Sequence, residues 1–357
     1  MREYGSEHPA ISLPDGYFDK LKGLGREVLF LRSGREALLL TALSACDRKE
    51  KIILFPAYCC WSMIAPFEKA GWTVLFYRLN EDLTIDIDYL QQLLTDNNPQ
   101  AVLTMNFYGS ACTDNAVRLV KKYNSEIKII EDFSHCTFSI RNIFNPEVDM
   151  YVSSIRKSVG VCDGSLILSK EPLPIFYIQE GENDFADKRF AAQKEKSLYI
   201  WSKDQDKKRF FLDIIRECES IIDGFTVVRP ISERAKQMLA LLNGQDIAFA
   251  RRENMRHLWN RLNGKVRMVP GLERSFEKDG SSPFSLPILI ENRDEIQSDL
   301  ANRGVYTQWL WPLCKDAMNI CPVSKEMNYK MLSVPIDQRF SWDDIEDMAS
   351  IILEVVK

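Results

Sequence analysis

Between residues 27 and 132, short and almost continuous apolar runs alternate with helix-like segments, and this rhythm limits the fold before any residue's chemistry is considered. The runs lie at 27–31, 51–55, 72–78, 101–107 and 127–131. Helix-like stretches follow Ser33 and occupy 62–70, 87–94 and 114–123. Strands that are apolar along their whole length need cover on both faces, which describes an α/β protein with a mostly parallel sheet sandwiched by helices. Two more strand-like runs, 151–155 and 165–169, are joined by a connection too short for a crossover helix, so this pair is expected to be antiparallel.

Beyond residue 170 the pattern changes. Residues 181–223 are polar and helical, with Phe185, Phe190, Leu198, Trp201, Phe210 and Phe211 as scattered apolar anchors. Residues 233–262 have helical periodicity interrupted near Asn243-Gly244 and are expected to connect to a second lobe. The runs 265–270, 283–290, 305–309 and 331–335 suggest strands, and 293–302 and 342–356 suggest helices, the last with Ser341 as N-cap. The expected division is an N-terminal arm at 1–25, a large domain at 26–230 and a smaller α+β domain at 231–357.

The 357 residues allow a large core, and the net charge of −5, with no long basic block, argues against a nucleic-acid partner. No apolar run reaches the roughly 18–20 residues needed to cross a bilayer. The start, MREYGSEHPA, has no signal-peptide core, and the nine cysteines are scattered without a CxxC pair. A cytosolic setting, with no membrane partner, is expected. Three histidines (His8, His135, His257) offer no metal-ligand spacing, so no metal is expected. No G-x-G-x-x-G follows a strand and no Walker A motif is present, which leaves a dinucleotide or P-loop site unsupported.

Three features fall at expected carboxyl ends of strands, where open α/β sheets bind ligands. The first is Ser33-Gly34-Arg35-Glu36, a capping box that starts a helix and so presents free N–H groups suited to a phosphate. A plain helix cap has the same signature. The second is Asp132, ending the run at 127–131. The third is Ser153, Ser154 and Lys157, followed by the turn at Asp163-Gly164. Singly, Lys157 reads as a surface lysine and Asp132 as a turn cap. Together they suit pyridoxal 5'-phosphate (PLP): phosphate on the Ser33 helix and a Ser153 or Ser154 hydroxyl, Lys157 as Schiff-base lysine, Asp132 on the pyridine nitrogen.

On these residues the chain resembles the DegT/StrS family of PLP-dependent aminotransferases, which have the aspartate-aminotransferase fold (fold type I). The family's S-G-T-x-A-L is similar to Ser33-Gly34-Arg35-Glu36-Ala37-Leu38, and its P-[ST]-[YF]-T-F to Pro56-Ala57-Tyr58-Cys59-Cys60. Its E-D-x-A-Q resembles Glu131-Asp132-Phe133-Ser134-His135, and its lysine segment Ser154-Ile155-Arg156-Lys157 with Asp163-Gly164-Ser165. Its L-S-L-P-[IV] resembles Leu332-Ser333-Val334-Pro335-Ile336. The likeness spans most of the chain from residue 27 and is weak between 171 and 230.

The resemblance implies a homodimeric aminotransferase that moves an amino group from glutamate or a similar amino acid to a nucleotide-linked keto sugar, as in polysaccharide biosynthesis. Lys157 favours transamination over the family's sugar dehydratases, where that lysine is replaced. Arg35 stands where the family has Thr. Cys60 takes the place of the aromatic that stacks on the cofactor, with Trp61 beside it. His135 replaces the Gln near the ring hydroxyl. The family's G-x-N-x-R phosphate contact is missing, and Arg229 is the nearest basic residue. Two alternatives stay open: another PLP reaction on a non-sugar substrate, such as elimination or amine transfer to a non-sugar carbonyl, or a degenerate member that binds or regulates without turnover.

Overall fold

Seven strands form one sheet in the order β1-β7-β6-β5-β4-β2-β3 in the computed structural model, which describes residues 14–181 and 184–356. They are β1 (Glu27–Leu31), β2 (Ile52–Pro56), β3 (Thr73–Tyr77), β4 (Ala101–Met105), β5 (Lys128–Asp132), β6 (Met150–Ser153) and β7 (Ser165–Ser169). Neighbours from β3 through β6 are parallel, and β7 is antiparallel to both β6 and β1. The apolar runs follow from position in this order. β4, β6 and β7 are buried along their length, whereas the edge strands β1 and β3 are buried only at their last residue.

The crossover helices are Gly34–Ala45, Trp61–Lys69, Ile87–Asn97 and Asp114–Tyr123. The first, GREALLLTALSA, packs against β6, β7 and helix Trp61–Lys69, and its leucines at 38, 39 and 40 are all buried. Truncating one of them, such as Leu40, to Ala is expected to cost about 2–5 kcal/mol. Ser33 caps this helix, its hydroxyl oxygen accepting the Glu36 N–H.

The expected antiparallel pairing of the strands around Lys157 is present, with Tyr151 opposite Leu168 and Val152 opposite Ile167. The return turn needs Gly164: its φ is +136°, and a Cβ there would lie 3.2 Å from the Ile231 side chain. Residues 184–223 form a hairpin of two long helices, Asp184–Ser202 and Gln205–Asp223.

The C-terminal part pairs β8 (Ser285–Leu289) with β9 (Met331–Pro335), covered by helices Gly244–Leu262, Arg293–Asn302 and Trp342–Val355. Two expected strands are absent as strands. Residues 265–270 contribute only a bridge from Met268 to Ile288, and residues 305–309 only one from Gln308 to Ser333. The second run leads into Leu310 and Trp311, which pack against Tyr58 and His135 instead of extending a ladder.

One contiguous apolar core runs through the seven-stranded sheet and the β8–β9 pair with their helices. Of the expected N-terminal arm, residues 1–13 lie outside the described residues. Residues 14–25 pack on the body, with Tyr17 and Phe18 against Phe138 and the Tyr17 hydroxyl donating to Thr137 O at 3.0 Å. Among the described residues no helix is long and apolar enough to cross a membrane, and no metal-binding group of His, Cys, Asp or Glu is present.

Candidate cofactor-binding and active site

Because β4, β5 and β6 are parallel, their carboxyl ends open on one side of the sheet. Asp132, the last residue of β5, sits opposite Met105 of β4 and Val152 of β6. It is 4% exposed, and its Oδ1 accepts the Ser134 N–H at 2.8 Å. The Ser134 hydroxyl oxygen in turn accepts the Ser154 N–H at 2.9 Å, joining the ends of β5 and β6. Burial raises the Asp132 carboxyl above its usual range, against the opposing pull of Lys157 and the Ser134 hydrogen bonds. No Lys or Arg among the described residues is ion-paired with it.

Lys157 closes a single 3-10 turn, Ile155–Lys157, after β6, with its N–H on Ser154 O at 3.2 Å. Its side chain is exposed and carries enough field to act on both Asp132 and His135.

The start of helix Gly34–Ala45 lies against the same place. A Cβ on Gly34 would come within 3.1 Å of Ser154 Cβ, so the helix's leading N–H groups stand beside the β6 end. The Ser33 hydroxyl donates to Glu36 Oε2 at 2.6 Å, and buried Glu36 pairs with Arg32 at 2.8 Å. The Ser33 side chain is therefore committed to the cap, leaving the backbone N–H groups to face an anion.

Of the two serines, the structure brings Ser154 to the helix. Ser153, on the opposite face of the strand, shares a 2.8 Å hydrogen bond with the Thr137 hydroxyl, to which Ser158 also donates at 3.2 Å. Arg35 does not turn toward this place: its guanidinium pairs with Asp223 at the end of the helical hairpin. Cys60 is half-buried at the N-cap of helix Trp61–Lys69, its thiol 2.9 Å from the Ser62 hydroxyl, and Trp61 is 58% exposed.

His135 is enclosed. Its ring stacks on Phe284 at 4.7 Å and 6°, lies 5.4 Å from Trp311, and tilts against Tyr108 at 4.9 Å. The Tyr108 N–H donates to its Nδ1 at 3.4 Å, which leaves the ring proton to Nε2. Burial, reinforced by the Lys157 charge, holds this imidazole neutral.

Sequence reasoning missed the aromatic wall built from Tyr58, Tyr108, Phe284 and Trp311. The one local signal was Tyr108-Gly109 after β4, where Tyr108 has a φ of +54°. Arg229, the nearest basic residue to the missing phosphate motif, lies instead beside Gly181, and its Nη1 has no hydrogen-bond partner among the described residues.

These residues fit PLP. A buried carboxyl that forms no ion pair among the described residues suits a protonated pyridine nitrogen, and a helix N-terminus beside Ser154 suits a phosphate. At the neighbouring end of β4, the buried Asn106 side-chain oxygen also lacks a donor among the described residues.

The fold is shared with solved structures of aminotransferases. Solved structures cover nearly the whole chain: a DegT DnrJ EryC1 StrS aminotransferase from Brucella abortus matches 95% of this chain and 89% of its own, with a TM-score of 0.63 and 16% identity. DesV from S. venezuelae matches 96% and 89% at 0.66 and 15% identity. PseC of Helicobacter pylori, an aminotransferase involved in the biosynthesis of pseudoaminic acid, matches 97% and 93% at 0.64 and 14% identity. At these identities the likeness is one of fold. No protein-family model matches the sequence, and no curated protein matches it.

Proposed function

We propose that the chain is a PLP-dependent aminotransferase of the DegT/StrS kind, passing an amino group from an amino acid such as glutamate to a keto sugar carried on a nucleotide. The observation that carries this reading is the meeting of Asp132, Ser154, the Gly34 helix start and the Lys157 turn at one set of strand ends. When bound, PLP supplies an electron sink for the carbanion formed at the donor's Cα.

The chain's own residues do the rest. Asp132 keeps the pyridine nitrogen protonated, and its burial strengthens that pairing because little water competes. Gly34 and Ser154 seat the phosphate. Lys157 attaches the cofactor and, once free, takes the proton from the donor's Cα. Its exposure in the single chain suits a homodimer in which a second copy covers the crevice. Nine free cysteines, five of them buried, suit a reducing cytosol.

One set of observations favours a second reading. Arg35 is held by Asp223, Cys60 brings no aromatic ring, and His135 is walled in by aromatics. A site altered in this way suits another PLP reaction on a non-sugar carbonyl, or binding without turnover. PLP titration of the purified protein decides between enzyme and non-enzyme. A visible band is expected, with borohydride fixing the cofactor's mass on the Lys157 peptide, and Lys157→Ala should abolish both. Equal, colourless spectra for the two proteins would overturn the proposal. Half-reactions with panels of amino acids and keto sugars then separate transamination from other PLP chemistry.

A further inference from the structure

Arg251 lies on helix Gly244–Leu262, is 3% exposed, and directs its hydrogen bonds to neutral acceptors on three separate segments. Its Nε donates to Gln338 Oε1 at 2.9 Å, its Nη1 to Pro283 O at 3.2 Å and Phe284 O at 3.1 Å, and its Nη2 to Ser158 O at 2.9 Å. The Gln338 amide also donates to Ser158 O, at 3.1 Å. A buried guanidinium is costly to desolvate, and burial lowers this one to about 10, partly offset by nearby Asp337. It still carries its charge at neutral pH. If filling space were the only need, an apolar side chain would serve without that cost.

The acceptors explain the choice. Ser158 directly follows Lys157, so two donors on its carbonyl fix the end of the turn that aims the lysine. Phe284 supplies the ring stacked on His135. One planar fork therefore holds the lysine turn on one side of the crevice and the aromatic wall on the other. Lysine, a point charge on a flexible stem, cannot reproduce this geometry.

We propose that Arg251, assisted by Gln338, is a positioning residue for Lys157, setting the height and direction of the turn from which the amine reaches a bound cofactor. The inference rests on the PLP reading above. Its first effect, the order of the turn, is nonetheless measurable without cofactor.

The test compares the full-length wild type with Gln338→Ala, Arg251→Lys and Arg251→Met. Three properties are measured: melting temperature, hydrogen exchange of the peptide covering 155–161 without PLP, and PLP affinity with its pH profile from the visible band. Half-buried Gln338 can lose its side chain with little risk to folding, so Gln338→Ala keeps the test decisive if an Arg251 variant fails to fold. Losing one hydrogen bond to a buried carbonyl should raise exchange at 155–161 about tenfold and weaken PLP about tenfold, with a shifted pH profile. Arg251→Lys should show a larger effect than Gln338→Ala. Unchanged exchange in folded variants overturns the inference, as does faster exchange with unchanged PLP affinity and pH profile. If the wild type binds no PLP, the functional reading fails by itself, and the exchange arm alone decides whether Arg251 orders the turn.

Discussion

The charge of the Lys157 amine acts on the Asp132 carboxyl across the ends of the adjacent parallel strands β5 and β6. Burial pushes the carboxyl up, and the lysine charge pulls it back only in part. A further positive group beside Asp132 would favour its charged form, which is the role assigned to a pyridine nitrogen.

Asp132→Asn removes that charge and keeps the shape. The variant should fold at least as stably as wild type, since a buried carboxylate is lost. It should still show the visible band, yet turn over amino donor on the order of 10²–10³-fold more slowly. Single-turnover kinetics against the absorbance titration separates the two effects, and an unaltered rate would remove Asp132 from the mechanism.

Gly34→Ala tests the close approach of the helix start to Ser154. The new methyl would meet Ser154 Cβ at 3.1 Å and its hydroxyl oxygen at 3.4 Å. Overpacking of this kind costs about 1–3 kcal/mol, more than the helix gains from alanine. Urea denaturation should show that loss, and the phosphate seat should weaken for both PLP and inorganic phosphate. Ala at the exposed Gly23, where nothing lies within 4 Å, serves as control.

Glu131, beside Asp132 in sequence, alternates to the other side of the sheet and is fully buried. Its Oε2 accepts the Thr113 hydroxyl at 2.9 Å, while Oε1 has no hydrogen-bond partner among the described residues. Desolvation, opposed by Thr113 and reinforced by Asp114 and Asp132, pushes this carboxyl up to about 8. The native state then binds more protons than the unfolded state between the ordinary glutamate value and about 8. The stability Glu131 contributes is therefore present at low pH and lost as pH rises through that window. Glu131→Gln removes the dependence. Its stability relative to wild type should climb by on the order of a few kcal/mol between about pH 5 and pH 8.5, read from urea midpoints across pH. A pH-independent difference would contradict a neutral Glu131.

Much of the large lobe was legible because its signals are local. Apolar runs marked β1 through β7, and Ser33 and Ser341 announced the helices they cap. The runs at 265–270 and 305–309 misled for a physical reason. Alternation alone does not make a ladder: only Val266, Val269, Val305 and Thr307 are buried there, and each run meets its neighbour through a single bridge. Of the site, Asp132, Lys157 and the Gly34 helix start could be nominated from the residues alone. The direction of Arg35 toward Asp223, the enclosure of His135 and the clamp of Arg251 had no local signature.

For this protein the sequence by itself determined the alternation of strand and helix, and with it the side of the sheet on which Asp132 and the Lys157 turn emerge. Periodicity and capping act within a few residues and need no distant partner. The tertiary structure alone decided the order β1-β7-β6-β5-β4-β2-β3 and the choice of Ser154 over Ser153 beside the helix. It also decided the wall in which Tyr108, Phe284 and Trp311 pack around His135, with Tyr58 behind Trp311. Those contacts join segments up to hundreds of residues apart, and whether they form depends on how the whole core packs.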